Sequence, residues 1–236
     1  MRTCFALLML LVVFNAVAQK NPEKLTFELR LAGVKSGEAF YQTNIESIDN
    51  KENIHAVLYG YTTGLADDLF AVNDRFESFI EKNKTLPGKS LKKLKEKDYR
   101  FEEEILYFHD EEVVFSDNSG WHDVKYGICD ISALIYHVRF SDKLQNLQKN
   151  QVVEIPFWDT DEWYMLELKY AGIEKIETDF GEFECIRLEP LKIAGRFFNK
   201  RNPMNVWLSN DERKLPVLME LNFTVGSFKC YLVGAS

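Results

Sequence analysis

The sequence predicts a mainly β chain, a curved sheet curled or partly closed around one helix. Three observations carry that prediction. Apolar residues alternate with polar ones in row after row, the period of half-buried strands. Turn-forming residues punctuate these rows at short intervals, the habit of sandwiches and barrels. Clear helical periodicity occurs in the stretch from Cys129 to Arg139, where Ile131, Leu134, Ile135 and Val138 fall at i, i+3, i+4 and i+7. A lone short helix is marginal in water, so this one must lie against the sheet.

In chain order, Leu25, Phe27, Leu29 and Leu31 alternate as a first strand. Gly33 and Gly37 are expected to bracket a turn, with Ala39 to Ile48 returning. A third strand, rich in aromatics, runs from Ile54 to Thr63. Gly64 to Val72 is a second, short helical candidate, with Leu65, Leu69 and Val72 on one face. Arg75 to Ile80 reads as extended and is broken by Pro87-Gly88. Leu91, Leu94 and Phe101 suit either a strand or a helix. Ile105 to Phe108 and Val113 to Phe115 read as strands around an acidic turn, and Asp117 to Gly120 as a loop before the main helix.

That helix has clear end signals. Asp130 stands where its carboxylate can accept an orphan backbone N–H at the positive end of the dipole, and Arg139 closes the other end. Beyond a polar connection at Gln145 to Gln151, the rows Val153-Ile155-Phe157 and Tyr164-Leu166-Leu168-Tyr170 alternate. Thr178 to Gly181 turns into Phe183 to Pro190. Met204-Val206-Leu208, then Leu215 to Val225, then Phe228-Cys230-Leu232 complete the set. There is no internal repeat or linker, so residues 19–236 read as a single β-rich domain.

Residues 1–18 read as a secretory signal: Arg2 is the only charge, an apolar run extends from Phe5 to Phe14, and Ala16-Val17-Ala18 offers small residues for cleavage. The apolar run is too short for a membrane span, so a cleaved chain beginning at Gln19 is expected. The formal charge of −8, one unit more negative without Arg2, argues against nucleic-acid binding, which needs clustered Lys and Arg. Cys129, Cys185 and Cys230 remain after cleavage, an odd number without metal-ligand spacing. They are expected to be core residues, with Cys185–Cys230 the first suspect for a bridge.

Catalytic and metal motifs are missing from the sequence. His109 and His122 each precede an aspartate but lack the spacing of a zinc site. Cys129 and His137 lie about 12 Å apart along a helix at 1.5 Å per residue, too far for a nucleophile and its base. No Gly-x-Ser-x-Gly, phosphate-cradling or Gly-rich cofactor loop is present, so neither an enzyme activity nor a cofactor is expected. Ser132, Tyr136 and Arg139, at i, i+4 and i+7, form a polar stripe beside the apolar helix face. They either lock the helix onto strand ends or line a ligand cleft in which Arg139 meets an anionic head group. The basic run Lys82, Lys84, Lys89, Lys92, Lys93, Lys95, Lys97 and Arg100 reads as a solvated sheet edge, or as a peripheral contact with an anionic membrane.

Three ordered patterns carry a resemblance. They are Asp130-x-Ser132-x-x-x-Tyr136-x-x-Arg139; Glu174-x-Ile176-x-Thr178-x-x-Gly181-x-Phe183-x-Cys185-x-x-Leu188-x-Pro190; and Trp207-x-Ser209-x-Asp211, followed by Pro216-Val217 and Gly226. Together the chain resembles the exported bacterial proteins of domain-of-unknown-function family 3108. The resemblance implies an antiparallel half-barrel with a helix against it, similar to lipoprotein-carrier-like envelope proteins, and it carries no catalytic residues. The expected role is a non-catalytic protein of a Gram-negative periplasm or envelope that binds an apolar or amphiphilic ligand, a lipid or lipoprotein, between helix and sheet. The alternative is a structural or interaction protein without a ligand.

Overall fold

In the computed structural model, which describes residues 22–48, 51–82, 84–192, 204–222 and 226–236, the alternating rows become fourteen strands of one antiparallel sheet. The signal segment at 1–18 lies outside the described residues. Strands β1 (Glu23–Leu31), β2 (Val34–Ile48) and β3 (Lys51–Thr62) lead to a short helix α1 (Leu65–Leu69). There follow β4 (Asn73–Glu81), β5 (Pro87–Glu96), β6 (Tyr99–Phe108), β7 (Val113–Ser116) and β8 (Gly120–Asp123). Helix α2 (Ile131–Phe140) precedes β9 (Val152–Asp159), β10 (Glu162–Thr178), β11 (Gly181–Lys192), β12 (Met204–Ser209), β13 (Pro216–Asn222) and β14 (Ser227–Ala235).

The sheet is a meander run in two directions. Its order is β8-β7-β6-β5-β4-β3-β2-β1-β14-β13-β12-β11-β10-β9, so the first and last strands pair in the middle and β8 and β9 form the ends. Those ends do not join edge to edge. Phe157 and Tyr164 pack inward with Val138 of α2 or its neighbours, while Trp158 and Trp163, on the opposite face of β9 and β10, pack against Ile105, Tyr107 and Val114. The inner face of β6–β7 therefore lies over the outer face of β9–β10. Side chains seal this overlap, including the His122 ring 5.1 Å from Trp158, and Lys92, which donates to Asp159 at 2.7 Å. Such an overlap removes apolar surface from water without a closed hydrogen-bond ladder.

Several local expectations need correction. Gly37 is not in a turn but inside β2, where an added Cβ would lie 2.4 Å from the Tyr61 carbonyl oxygen; close approach of β3 explains the glycine. The hairpin turns instead at Ala32 and Gly33, both with positive φ as a two-residue primed turn requires. Pro87-Gly88 opens β5 rather than ending a strand, because the first strand position needs no ladder donor. Leu91, Leu94 and Phe101 belong to strands β5 and β6, and Gly120 begins β8, a strand not anticipated. The short helix buries nothing: Leu65 and Leu69 are 79% and 78% exposed, and Val72 leaves it to bridge Glu96.

The basic run is not an edge. Strand β5 lies between β4 and β6, so its lysines face carboxylates across the sheet. Lys89 pairs with Glu104 and Lys93 with Glu102, while Lys82 meets Glu52 and Lys84 meets Glu81. Cross-strand charge pairing places these lysines where edge protection had been expected.

Helix α2 fills the inside of the curved sheet. Asp130 caps it as expected, its Oδ1 accepting from the backbone N–H of Ser132 and Ala133 at 2.8 and 3.1 Å. The deepest face is not the apolar one, however. Ser132, Ala133, Tyr136 and Arg139 are buried, whereas Ile131, Leu134 and Ile135 are only half-buried. The cause is the sheet's curvature: β3 and β4 close on the small and polar side of the helix, and Leu134 bridges two apolar clusters at the margin. Leu134→Ala is accordingly expected to cost about 1–3 kcal/mol, less than the roughly 2–5 kcal/mol typical of a fully buried leucine such as Leu232. Urea unfolding of the two alanine variants side by side checks the order. Among the described residues Cys129, Cys185 and Cys230 are free thiols, and burial raises the pKa of Cys185 and Cys230 to about 12.

Candidate functional site

The polar stripe of α2 is brought inside the curved sheet and bonded there. Ser132 Oγ donates to the Phe76 carbonyl at 3.0 Å, and the Ser132 carbonyl accepts from Tyr41 OH at 3.2 Å. Arg139 grips Glu23 with both Nη atoms, at 2.7 and 3.1 Å, while its Nε donates to the Arg213 carbonyl. Tyr136 is buried with its ring 4.9 Å from Phe140. These residues connect α2 to β1, β2, β4 and the β12–β13 turn. Asp130 adds a second internal network, accepting from Ser78 Oγ at 2.6 Å and from Tyr107 OH at 3.4 Å, with Ser90 beside Tyr107. Burial raises the Asp130 pKa against these hydrogen bonds.

An open cleft lies where α2 ends. It measures about 380 Å³ and has an apolar floor of Leu86, Phe140, Ile155 and Pro156. Its rim carries Lys84 from the β4–β5 turn and Lys143 from the 3-10 turn after α2. A neighbouring cleft of about 490 Å³ shares Tyr126, Lys143 and Pro156 with it and continues along β9 through Val152 and Glu154. Between them runs the segment after β8, held to β9 where Cys129 N–H donates to the Pro156 carbonyl and Trp158 N–H donates to that of Cys129. Lys143 Nζ reaches the Glu154 carbonyl at 3.5 Å, so its charge stands at the junction of the two clefts. Both volumes fall within the roughly 300–1,000 Å³ usual for small-molecule sites.

His137 forms one wall. Its Nδ1 lies 3.0 Å from Thr85 Oγ1 and 3.3 Å from the Thr85 carbonyl, and Thr85 is held at φ 56°. A β-branched residue in that region is strained. The contact ties the helix end to the β4–β5 turn. The hydrogen bonds of the His137 ring go to Thr85, and Asp142 and Lys143 line the same cleft. Cys129 is fully buried, its Sγ bonds the Gly127 carbonyl, and burial pushes its pKa well up.

His109 and His122 do not converge on a metal. His109 is buried with Nε2 2.8 Å from the Pro87 carbonyl, whereas His122 Nε2 meets Ser119 Oγ at 2.8 Å. Among the described residues no group of three potential ligands gathers. Burial lowers the pKa of both His109 and His137 below the ordinary 6.5. The unfolded chain then binds protons more readily, so stability is lost as pH falls from 6.5 and levels off below the folded values. Unfolding at roughly pH 8 and pH 5.5 should show that loss, with a flatter profile for a His109→Phe, His137→Phe double variant.

Sequence reasoning found α2 and its polar stripe but missed the cleft. Leu86, Tyr126, Lys143, Ile155 and Pro156 come from four separated segments. No periodicity or spacing connects them. Lys143 just past a helix end matches a common preference for cations at helix C-termini and does not single out a cleft.

No helix among the described residues is long and apolar enough to cross a membrane. No curated protein matches the chain. Among solved structures it is similar to a β-barrel-like protein of domain of unknown function DUF1849 from Brucella abortus, at 12% identity over 91% of this chain and 97% of that one, with a TM-score of 0.61. A candidate lipoprotein from Parabacteroides distasonis, 11% identical, covers 92% of this chain and 96% of its own at a TM-score of 0.42. A candidate exported protein with a YmcC-like fold from Bacteroides fragilis, 8% identical, has the same coverages at 0.38. The DUF1849 similarity supports the β-barrel-like fold. Residues 26–233 match the family described as protein of unknown function DUF3108, so nearly the whole sheet with α2 inside it is this family's domain, and the chain belongs to that family.

Proposed function

We propose that this protein is a non-catalytic envelope protein that holds a single-chain amphiphile in the cleft at the end of α2. The observation that carries this reading is the apolar floor of Leu86, Phe140, Ile155 and Pro156 with Lys143 standing over it at the junction of two clefts. An acyl chain would lie on the floor, and an anionic head group would meet Lys143, since Lys84 on the rim is already paired with Glu81. Ser132, Tyr136 and Arg139 then serve as the frame: Arg139 is spent on Glu23, so the head group is met by Lys143 instead.

Residues 1–18 are proposed to direct export to a Gram-negative periplasm and to be removed there. N-terminal sequencing of the exported protein is expected to start at Gln19, and an uncut chain would overturn this. Binding is tested with lysophosphatidylglycerol below its micellar concentration, beside a monoacylglycerol of equal chain length. The anionic lipid should bind saturably and the Lys143→Ala variant should bind it at least about tenfold more weakly, since a charge-assisted contact is worth about 1.5–3 kcal/mol. Failure of both lipids to bind the unmodified protein would favour an interaction protein without a ligand.

A further inference from the structure

The outer face of β6–β8 differs from the rest of the surface. Phe108 and Trp121 are 37% and 64% exposed, and half-buried Phe115 lies between them. The Trp121 ring is 5.4 Å from Phe108 and 5.2 Å from Phe115, so three rings on three adjacent strands form one stack. Leu106 and Val113 are cross-strand partners of Phe115 and Phe108 on that face and extend the patch. Contiguous exposed apolar surface of this kind marks an interaction site more often than a scattered residue does.

The patch ends at a free strand edge. β8 closes one end of the sheet, and among the described residues β7 is its sole backbone partner. The opposite end of the sheet is different, since Cys129 already pairs with β9 there. Native sheets blunt exposed edges with lysine, proline or a covering loop, and β8, Gly-Trp-His-Asp, carries neither lysine nor proline. Its four residues are too few for backbone pairing alone to hold a partner, so the aromatic stack must supply much of the affinity.

Charge decides what can dock. Asp110, Glu111, Glu112, Asp117 and Asp123 surround the stack, all exposed, and none forms an ion pair among the described residues. Lys89 nearby is already committed to Glu104, which leaves exposed Lys125, just past β8, as a single unpaired cation against these five carboxylates among the described residues. A second copy would bring the same acidic rim against this one, and an anionic bilayer would be repelled likewise. An extended segment that alternates basic and apolar residues fits both the rim and the stack.

We propose that the edge of β8 and the Phe108–Phe115–Trp121 face beside it dock an extended basic segment of a partner protein, which adds to the sheet as a further strand. The probes are two synthetic hexapeptides, one alternating Lys and Val and the other alternating Glu and Val, each titrated into the full chain. The Lys–Val peptide should slow amide exchange at Gly120 to Asp123, bind more weakly as salt rises, and lose at least about tenfold in affinity with Trp121→Ala, the level of a true hot spot. Trp121 is exposed, so that variant keeps its fold, and an unchanged unfolding midpoint verifies this. Equal protection by both peptides, protection by neither, or protection confined to β9 would overturn the proposal. So would dimerisation abolished by Trp121→Ala, which would assign the face to a second copy, or binding to phosphatidylglycerol vesicles through Trp121, which would assign it to a membrane. Lipid binding in the α2 cleft is independent of each of these outcomes.

Discussion

Arg139→Met is expected to destabilise the fold by about 3–5 kcal/mol, the cost of leaving a buried charge without its partner. The side chains of Arg139 and Glu23 are 1% and 6% exposed and share two hydrogen bonds. Removing the guanidinium leaves Glu23 inside the sheet with only Arg213, whose Nη2 is 3.2 Å away and whose side chain is 42% exposed. The Arg213 carbonyl also loses the Arg139 Nε donor. A double-mutant cycle separates pair from packing. Glu23→Gln with Arg139→Met should cost much less than the two single changes added together, because no lone charge remains. Additive costs in denaturant unfolding would mean that the pair is solvated and does not hold α2 to β1.

Asp130→Ala should cost about 2–4 kcal/mol, since it removes an N-cap worth about 0.5–2 kcal/mol and strips acceptors from buried hydroxyls. Ser78 loses its partner outright, while Tyr107 keeps Ser90. Asp130→Asn is the informative contrast. Its Oδ1 can still accept from Ser78 and from the backbone of Ser132 and Ala133, and it carries no charge. Because burial raises the folded pKa of Asp130, the folded state holds its proton longer than the unfolded chain. Stability from this group is therefore greatest in acid, falls as pH rises from the ordinary 3.8 to the folded value, and stays lower above it. The asparagine variant should lack that fall and approach or exceed the parent's stability near neutral pH. An asparagine variant as unstable as the alanine one would show that the carboxylate charge itself holds the helix.

Both predictions concern residues that the amino-acid sequence already marked, and their fates show where local reasoning ends. Asp130 was readable as a cap because its position relative to the apolar repeat defines the first helical turn. Its hydroxyl partners Ser78 and Tyr107 were not, as they sit on β4 and β6 far along the chain. Arg139 was readable as one member of a stripe with Ser132 and Tyr136. Its partner Glu23 is 116 residues away in sequence, and only the pairing of β1 into the middle of the sheet brings it close. The face of α2 formed by Ile131, Leu134 and Ile135 had the right period and the wrong depth, because a moment reports direction and not how tightly a sheet closes on each side.

What the sequence determined by itself was therefore everything set by neighbours along the chain. The period-two rows became strands, the i, i+3, i+4 row became α2, and Asp130 became its cap. Pairing order, the overlap of β6–β7 on β9–β10, the place of β5 inside the sheet and the cleft around Lys143 were decided by tertiary structure. The physical reason is range. Backbone dihedrals and side-chain alternation act over a few residues and leave a signature there, whereas burial and electrostatics act through space between segments whose meeting no local pattern encodes.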